Sequence, residues 1–253
     1  MFAGSYCGSP PALSELATRW NGDPFLIALL AGAMVLAVRA RNRMSAGGIA
    51  ILAIAFLSPL CAASAALFAA RSLHHLLLIV AALVFAMAVR PRGISRIEVP
   101  VTPAVIAMTT VLWAWHVPAL YDAALTNMAI YWLMQATILA TSFVFWRAVR
   151  RASAIGAVAG LLGGMIQMGF LGALLTFAAR PFYLIHALAA PTWGLSGLED
   201  QQLAGLIMWV GGMAPFAIGA AVIARRAWAR QSAATSVTST APSVATAGAR
   251  TVA

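Results

Sequence analysis

The sequence has no lysine, only six acidic residues and only two cysteines in 253 residues. Two cysteines, Cys7 and Cys61, cannot build a disulfide framework or a cysteine-based zinc site, and by themselves they leave the redox compartment open. Also missing are a glycine-rich phosphate loop, a serine or cysteine nucleophile beside a base, and a pair of carboxylates arranged for hydrolysis. These absences argue against an enzyme. What fills the chain is apolar: 62% of residues are hydrophobic and 9% charged, with a mean hydropathy of +0.91. No ordinary soluble domain has that balance, so the chain reads as an integral protein of the lipid bilayer. The net charge of +10 would suit nucleic acid if the arginines shared one face. They fall instead in short clusters between long apolar runs, which reports membrane orientation, and nucleic acid is not an expected partner.

Seven stretches are apolar enough to cross a hydrocarbon core as helices of about 20 residues. They are 24–38, 47–70, 72–89, 101–117, 128–148, 155–178 and 202–228. The predicted fold is therefore all-α, a polytopic bundle of about seven spans. Arginines test this division independently, because cytoplasmic loops are enriched in them. Arg39, Arg41 and Arg43 follow the first span, Arg90, Arg92 and Arg96 the third, Arg147, Arg150 and Arg151 the fifth, and Arg225, Arg226 and Arg230 the seventh. The opposite side keeps Arg19, Arg71 and Arg180 with most of the acidic residues. The amino terminus is thus expected outside and the carboxyl terminus in the cytoplasm. Residues 1–23 form an outer segment without the pattern of a cleavable signal peptide, so the first span is expected to act as the insertion signal. Residues 24–230 form the membrane domain, and 231–253, rich in Ser, Thr and Ala, a disordered tail. The second and third spans nearly touch, which places Arg71 in a very tight turn. Gly156, Gly160 and Gly164 share one face of the sixth span and invite a close helix neighbour. Gly211, Gly212 and Pro215 predict a kink in the seventh.

All four histidines fall at or near the expected outer face: His74 and His75 open the third span in LFAARSLHHLLLIV (67–80), His116 closes the fourth, and His186 follows the sixth. Histidine is a common transition-metal ligand, and ionisable groups at membrane depth are costly enough to suggest function. Adjacent helical residues point about 100° apart, so His74 and His75 are not expected to serve one ion. Only one should face the bundle, with His74 left at the interface. Arg71 shares a face with His75 one turn earlier and could hold an anion or the carboxylate of Asp122, Glu199 or Asp200. In LWAWHVPALYDAAL (112–125), Trp113, Trp115 and Tyr121 suit an interfacial aromatic belt, and Pro118 should end the span. In GLEDQQLAGLIMWVGG (197–212), Glu199 and Asp200 suit the amino terminus of a helix. Met165, Met168 and Met208 are read as gap-filling residues rather than copper(I) ligands.

Three segments together resemble one family, the CtaG-type cytochrome c oxidase assembly factors, which are polytopic bacterial membrane proteins. They are LFAARSLHHLLL; WAWHVPALYDAAL running on to YWLMQATILATSFVFW; and RPFYLIH with GLEDQQLAGLIMWVGG. The likeness extends over roughly 57–228. It implies a histidine pair one turn apart at the start of the third span, of which His75 is kept and Arg71 takes the other place. It implies a histidine in a Trp-His-x-Pro segment, kept as His116. It also implies a second pair at the start of the next span, where Tyr131 and Gln135 stand instead.

What the resemblance implies for function is maturation of a respiratory haem-copper oxidase, with copper delivery at the outer face of a bacterial plasma membrane. His75 and His116 are the candidate metal ligands. Arg71, His74, Asp122, His186 and Asp200 are candidate supporting residues around them, with Asp122 or Asp200 orienting an imidazole or engaging Arg71. The expected partner is an oxidase subunit or a copper chaperone. Two other readings fit the same composition: a small-solute or ion transporter lined by Gln135 and Gln167, and a membrane cytochrome with His75 and His116 as axial haem ligands. No internal repeat of transporter-like spacing is present.

Overall fold

The computed structural model describes residues 6–89 and 99–240, and all regular structure among them is helical. The helices are α1 (Pro24–Arg39), α2 (Arg43–Leu57), α3 (Pro59–Ala66), α4 (Phe68–Ala88), α5 (Val101–Ala114), α6 (Pro118–Thr126), α7 (Met128–Arg151), α8 (Ala154–Thr176), α9 (Leu184–Ala189), α10 (Gly197–Leu206) and α11 (Gly212–Thr240). A 3-10 turn, Leu13–Thr18, precedes α1, and another, Ala190–Trp193, follows α9. The arginine cluster at Arg90, Arg92 and Arg96 and the tail from 241 onward lie outside the described residues.

Four segments are long and apolar enough to cross a membrane: α4, α7, α8 and the composite Gly197–Ser232. Two bent pairs, α2 with α3 and α5 with α6, bring the number to six. Helix α1 is apolar but has only 16 residues. At about 1.5 Å per residue it is shorter than a hydrocarbon core of about 30 Å.

The bends have local causes. Ser58 ends α2 in extended backbone, accepts the Leu60 amide with its side chain, and is followed by Pro59. A proline with no N–H fits the first helical position but cannot continue a preceding helix, so α3 leaves α2 at 51°. Val117 and Pro118 repeat the arrangement, turning α6 from α5 by 73°. Pro118 therefore starts a helix as well as ending one.

The third expected span also begins earlier than its apolar pattern indicated. Leu67 is the extended residue and α4 starts at Phe68, so Arg71 lies on the first turn of α4 rather than in a tight turn. The chain reverses at Leu67 because α3 has already broken from α2. Around α10 and α11 the expected kink is a π-helical stretch, Ile207–Gly211, in which the Gly212 amide bonds to the Ile207 carbonyl five residues back. The wider turn precedes Pro215, whose missing N–H would otherwise interrupt the ladder. Helix α11 then continues to Thr240, so the first part of the segment expected to be disordered is helical. The sequence 231–240 contains neither glycine nor proline to stop it.

Helix α4 is central, packing against α2, α3, α7 and α10, while α8 packs against α11 and α10. Small residues permit the second set of contacts. A Cβ on Gly164 would fall 2.7 Å from Phe216 of α11, and one on Gly160, on the side of α8 that meets α5, would strike Val101. Gly156 meets only its own turn at Ser153 and Ala152, so two of the three glycines make the expected close approach. Helices α8 and α10 approach backbone to backbone, where a Cβ on Gly172 would lie 2.9 Å from the Gly205 carbonyl oxygen.

The two cysteines form one disulfide, Cys7–Cys61, which joins the amino-terminal segment to α3. The segment is held in other ways as well. Tyr6 stacks on Tyr131, packs edge-on to Trp132 and donates a 2.6 Å hydrogen bond to Asp23, while the Trp193 indole donates to the Pro11 carbonyl.

Candidate functional site

The first two turns of α4 carry Arg71, Ser72, His74 and His75, and all four are buried. Helices close on them from several sides, so a helix start that looked like a membrane boundary is an interior site. The guanidinium of Arg71 lies over the ring of Tyr131, with Cζ 5.3 Å from the centroid. Tyr121, His74, His75 and His186 are within its electrostatic reach. No group among the described residues makes a hydrogen bond of acceptable geometry to Nε, Nη1 or Nη2. A buried guanidinium with a cation–π contact and no carboxylate bonded to it among the described residues is an internal positive charge.

Two of the three carboxylates expected to engage Arg71 are used elsewhere. Asp200, fully buried on α10, accepts the backbone amides of Phe68 at 2.7 Å and Ala69 at 3.0 Å. It thereby caps α4, whose own preceding residue Leu67 has no side chain able to do so. Glu199 closes the capping box of α10, accepting the Ser196 amide at 2.7 Å while Ser196 accepts the Glu199 amide. Asp122 is half-buried, and its Oδ1 has no hydrogen-bond partner among the described residues.

The four histidines differ sharply. His74 is fully buried and edge-on to Phe56 at 4.8 Å, with no partner for either nitrogen among the described residues. It lies inside the bundle, not at the lipid interface, because α2 covers that face of α4. His186 has both nitrogens engaged, Nε2 with the Tyr121 hydroxyl at 2.6 Å and Nδ1 with the Ala66 carbonyl at 3.1 Å. A carbonyl only accepts, so Nδ1–H donates to Ala66 and Nε2 accepts a hydrogen bond from the Tyr121 hydroxyl. Burial pushes this imidazole down to about 3 and keeps it neutral.

His116 donates from Nδ1 to the Leu112 carbonyl at 2.6 Å, which leaves the lone pair on Nε2. His75 is within electrostatic reach of His116, and its Nε2 is buried without a partner among the described residues. The His74 ring, with its centroid 5.9 Å from that of His75, also has both nitrogens unpartnered among the described residues, but adjacent positions on one helix point apart. Tyr131 is the stacking surface of Arg71, and Gln135, one turn on, has both amide atoms buried and unpartnered among the described residues. Among the described residues no three His, Cys, Asp or Glu side chains are grouped to hold a metal ion. The donors described do not make a closed resident metal centre; His75 lies within electrostatic reach of both the Arg71 cation and the second imidazole, His116.

Sequence reasoning missed an aromatic box. Phe68 packs within 4.2 Å of the Tyr183 ring centroid and 5.5 Å of that of Tyr121, with His116 and His186 on its other sides. Tyr121, read as part of an interfacial belt, is buried there. The Tyr183 hydroxyl donates to the His116 carbonyl at 2.8 Å, and Gln201 binds the Phe182 amide at 2.6 Å. Proline at the start of α6 was the available signal, since a helix turned by 73° carries Tyr121 inward.

Over residues 30–231 the chain matches the family model described as Cytochrome c oxidase caa3 assembly factor (Caa3_CtaG). Neither a curated protein nor a solved structure matches it.

Proposed function

Because the chain belongs to the cytochrome c oxidase caa3 assembly factor family, we propose that it helps mature a haem-copper oxidase by passing copper through His75 and His116. The observation that carries this reading is the buried Nε2 of His75, unpartnered among the described residues, within electrostatic reach of His116, whose Nδ1 is bonded to Leu112 and whose Nε2 keeps its lone pair. Neutral imidazoles suit copper, and two of them suit copper(I) as cargo rather than as a resident cofactor. Arg71 opposes any cation placed next to His75, so the ion is held weakly and released readily. Tyr183 and Phe68 set the position of His116, while Asp200 fixes the turn that carries His75. The protein acts by binding and hand-over, not by catalysis. In this proposal the site faces outward from a bacterial plasma membrane, and the partner is an oxidase subunit or a copper chaperone.

A deletion strain tests it directly, assayed for oxidase activity and difference spectra with and without added copper. The expected result is a loss that copper partly restores, that the wild-type gene rescues fully, and that the His75→Ala, His116→Ala double variant does not rescue. Normal oxidase in the deletion strain would overturn the assembly role. Full rescue by the double variant would leave that role standing and remove these histidines from it.

A further inference from the structure

The disulfide opens onto a cavity of about 420 Å³ lined by both cysteines together with Tyr6, Arg19, Trp20 and Asn21. Cys7 is half-buried and Cys61 is almost fully buried, so one sulfur is offered and the other protected. Each sulfur has a hydrogen-bond donor. The Tyr131 hydroxyl lies 3.4 Å from Cys7 Sγ, and since a disulfide sulfur has no proton, the phenol donates. Asn21 Nδ2 lies 4.0 Å from Cys61 Sγ, at the long end of contacts to sulfur. Arg19, held by two hydrogen bonds to Ser9, adds a cation to the same wall. Donors and cations beside sulfur stabilise thiolate, which is both the attacking and the leaving species in exchange.

We propose that Cys7–Cys61 is a thiol–disulfide exchange site whose substrate is a dithiol of a partner protein. A thiolate of the partner enters the cavity and attacks Cys7 Sγ; the Cys7–Cys61 bond breaks, and Cys61 leaves as thiolate beside Asn21. The partner's second thiolate then attacks its own sulfur in the mixed disulfide and releases Cys7 beside Tyr131. The partner dithiol has lost two electrons and two protons to become a disulfide, and Cys7 and Cys61 have gained them as two thiols. The fold tolerates this opening, because Tyr6, Trp193 and Asn21 hold the amino-terminal segment independently of the sulfur bond. The inference does not depend on the copper reading.

The test uses the full chain in detergent, without denaturant, with dithiothreitol as the dithiol probe and maleimide gel shift as the readout. Both cysteines should become labelled while the far-ultraviolet circular dichroism spectrum stays unchanged. In Cys61→Ser, Cys7 should release the chromophore of an aromatic disulfide several-fold faster than Cys61 does in Cys7→Ser. Tyr131→Phe introduced with Cys61→Ser should slow that release. A wild-type disulfide that resists dithiothreitol until the protein is denatured would overturn the proposal. So would reduction that abolishes the helical spectrum, which would make the bond structural.

Discussion

Arg71 and Tyr131 meet across the α4–α7 interface, guanidinium over phenol ring at 5.3 Å, in positions one helical turn before His75 and Gln135 respectively. A protein-borne cation therefore occupies the heart of the site, and the behaviour of neighbouring imidazoles follows from it.

Replacing Arg71 by histidine removes that charge and puts an imidazole one turn from His75. At a separation of about 6 Å and an effective dielectric near 20, the repulsion on a monovalent ion is about 2–3 kcal/mol. Copper(I) affinity of Arg71→His should rise by roughly ten- to a hundred-fold, measured by competition against a chromogenic chelator. Arg71→Leu, which removes the charge without adding a ligand, should show a smaller rise. Unchanged affinity in both would separate the arginine from metal handling.

Asp200→Ala leaves the amides of Phe68 and Ala69 uncapped. Charge-assisted bonds to a helix terminus are worth about 1.5–3 kcal/mol when buried, against about 1 kcal/mol for an exposed capping box. Asp200→Ala should therefore lower the melting temperature in detergent clearly more than Glu199→Ala does. Equal losses would contradict the role given to Asp200.

Acid should destabilise the bundle through His186. Its folded pKa is pushed down to about 3, whereas an unfolded histidine titrates near 6.5. Between those values the unfolded chain binds the extra proton, so this contribution is intact above about pH 6.5 and is lost progressively as pH falls toward 3. Thermal melts across that window should show a slope that flattens in His186→Gln, even though the variant is less stable overall.

Gly172→Val should impair folding of the α8–α10 pair, because a Cβ there meets the Gly205 carbonyl and the Trp209 backbone amide at 2.9 Å each. Overpacking of this kind costs roughly 1–3 kcal/mol or more when the obstacle is backbone. Gly32→Val, at a position with open space around it, is the matched control and should be close to neutral.

Long apolar runs made the helical membrane architecture readable, and Pro118 marked a real boundary because its effect is local. The start of α4 was misplaced because Leu67 is apolar and nothing in its neighbours shows that the chain reverses there. His74 illustrates a second limit: spacing shows that it points away from His75, but not that α2 and Phe56 wait on that side. Of the two histidines suggested by resemblance, His75 lies within electrostatic reach of His116. The tasks of Asp200, His186 and Tyr121 depend on atoms far away in the chain, and no local pattern encodes them. Cys7 and Cys61 were likewise too few to suggest a framework, yet they meet in a disulfide next to the contacts that Tyr6 makes with Tyr131 and Trp132.

The bond from Asp200 to Phe68 spans 132 residues. During synthesis the head of α4 is made long before its cap exists, and two amides there must keep water until α10 arrives. The turn bearing Arg71 and His75 thus reaches its final setting only when nearly all the bundle has entered the membrane. A truncated or stalled chain, however helical, leaves the head of α4 uncapped and the site unfinished.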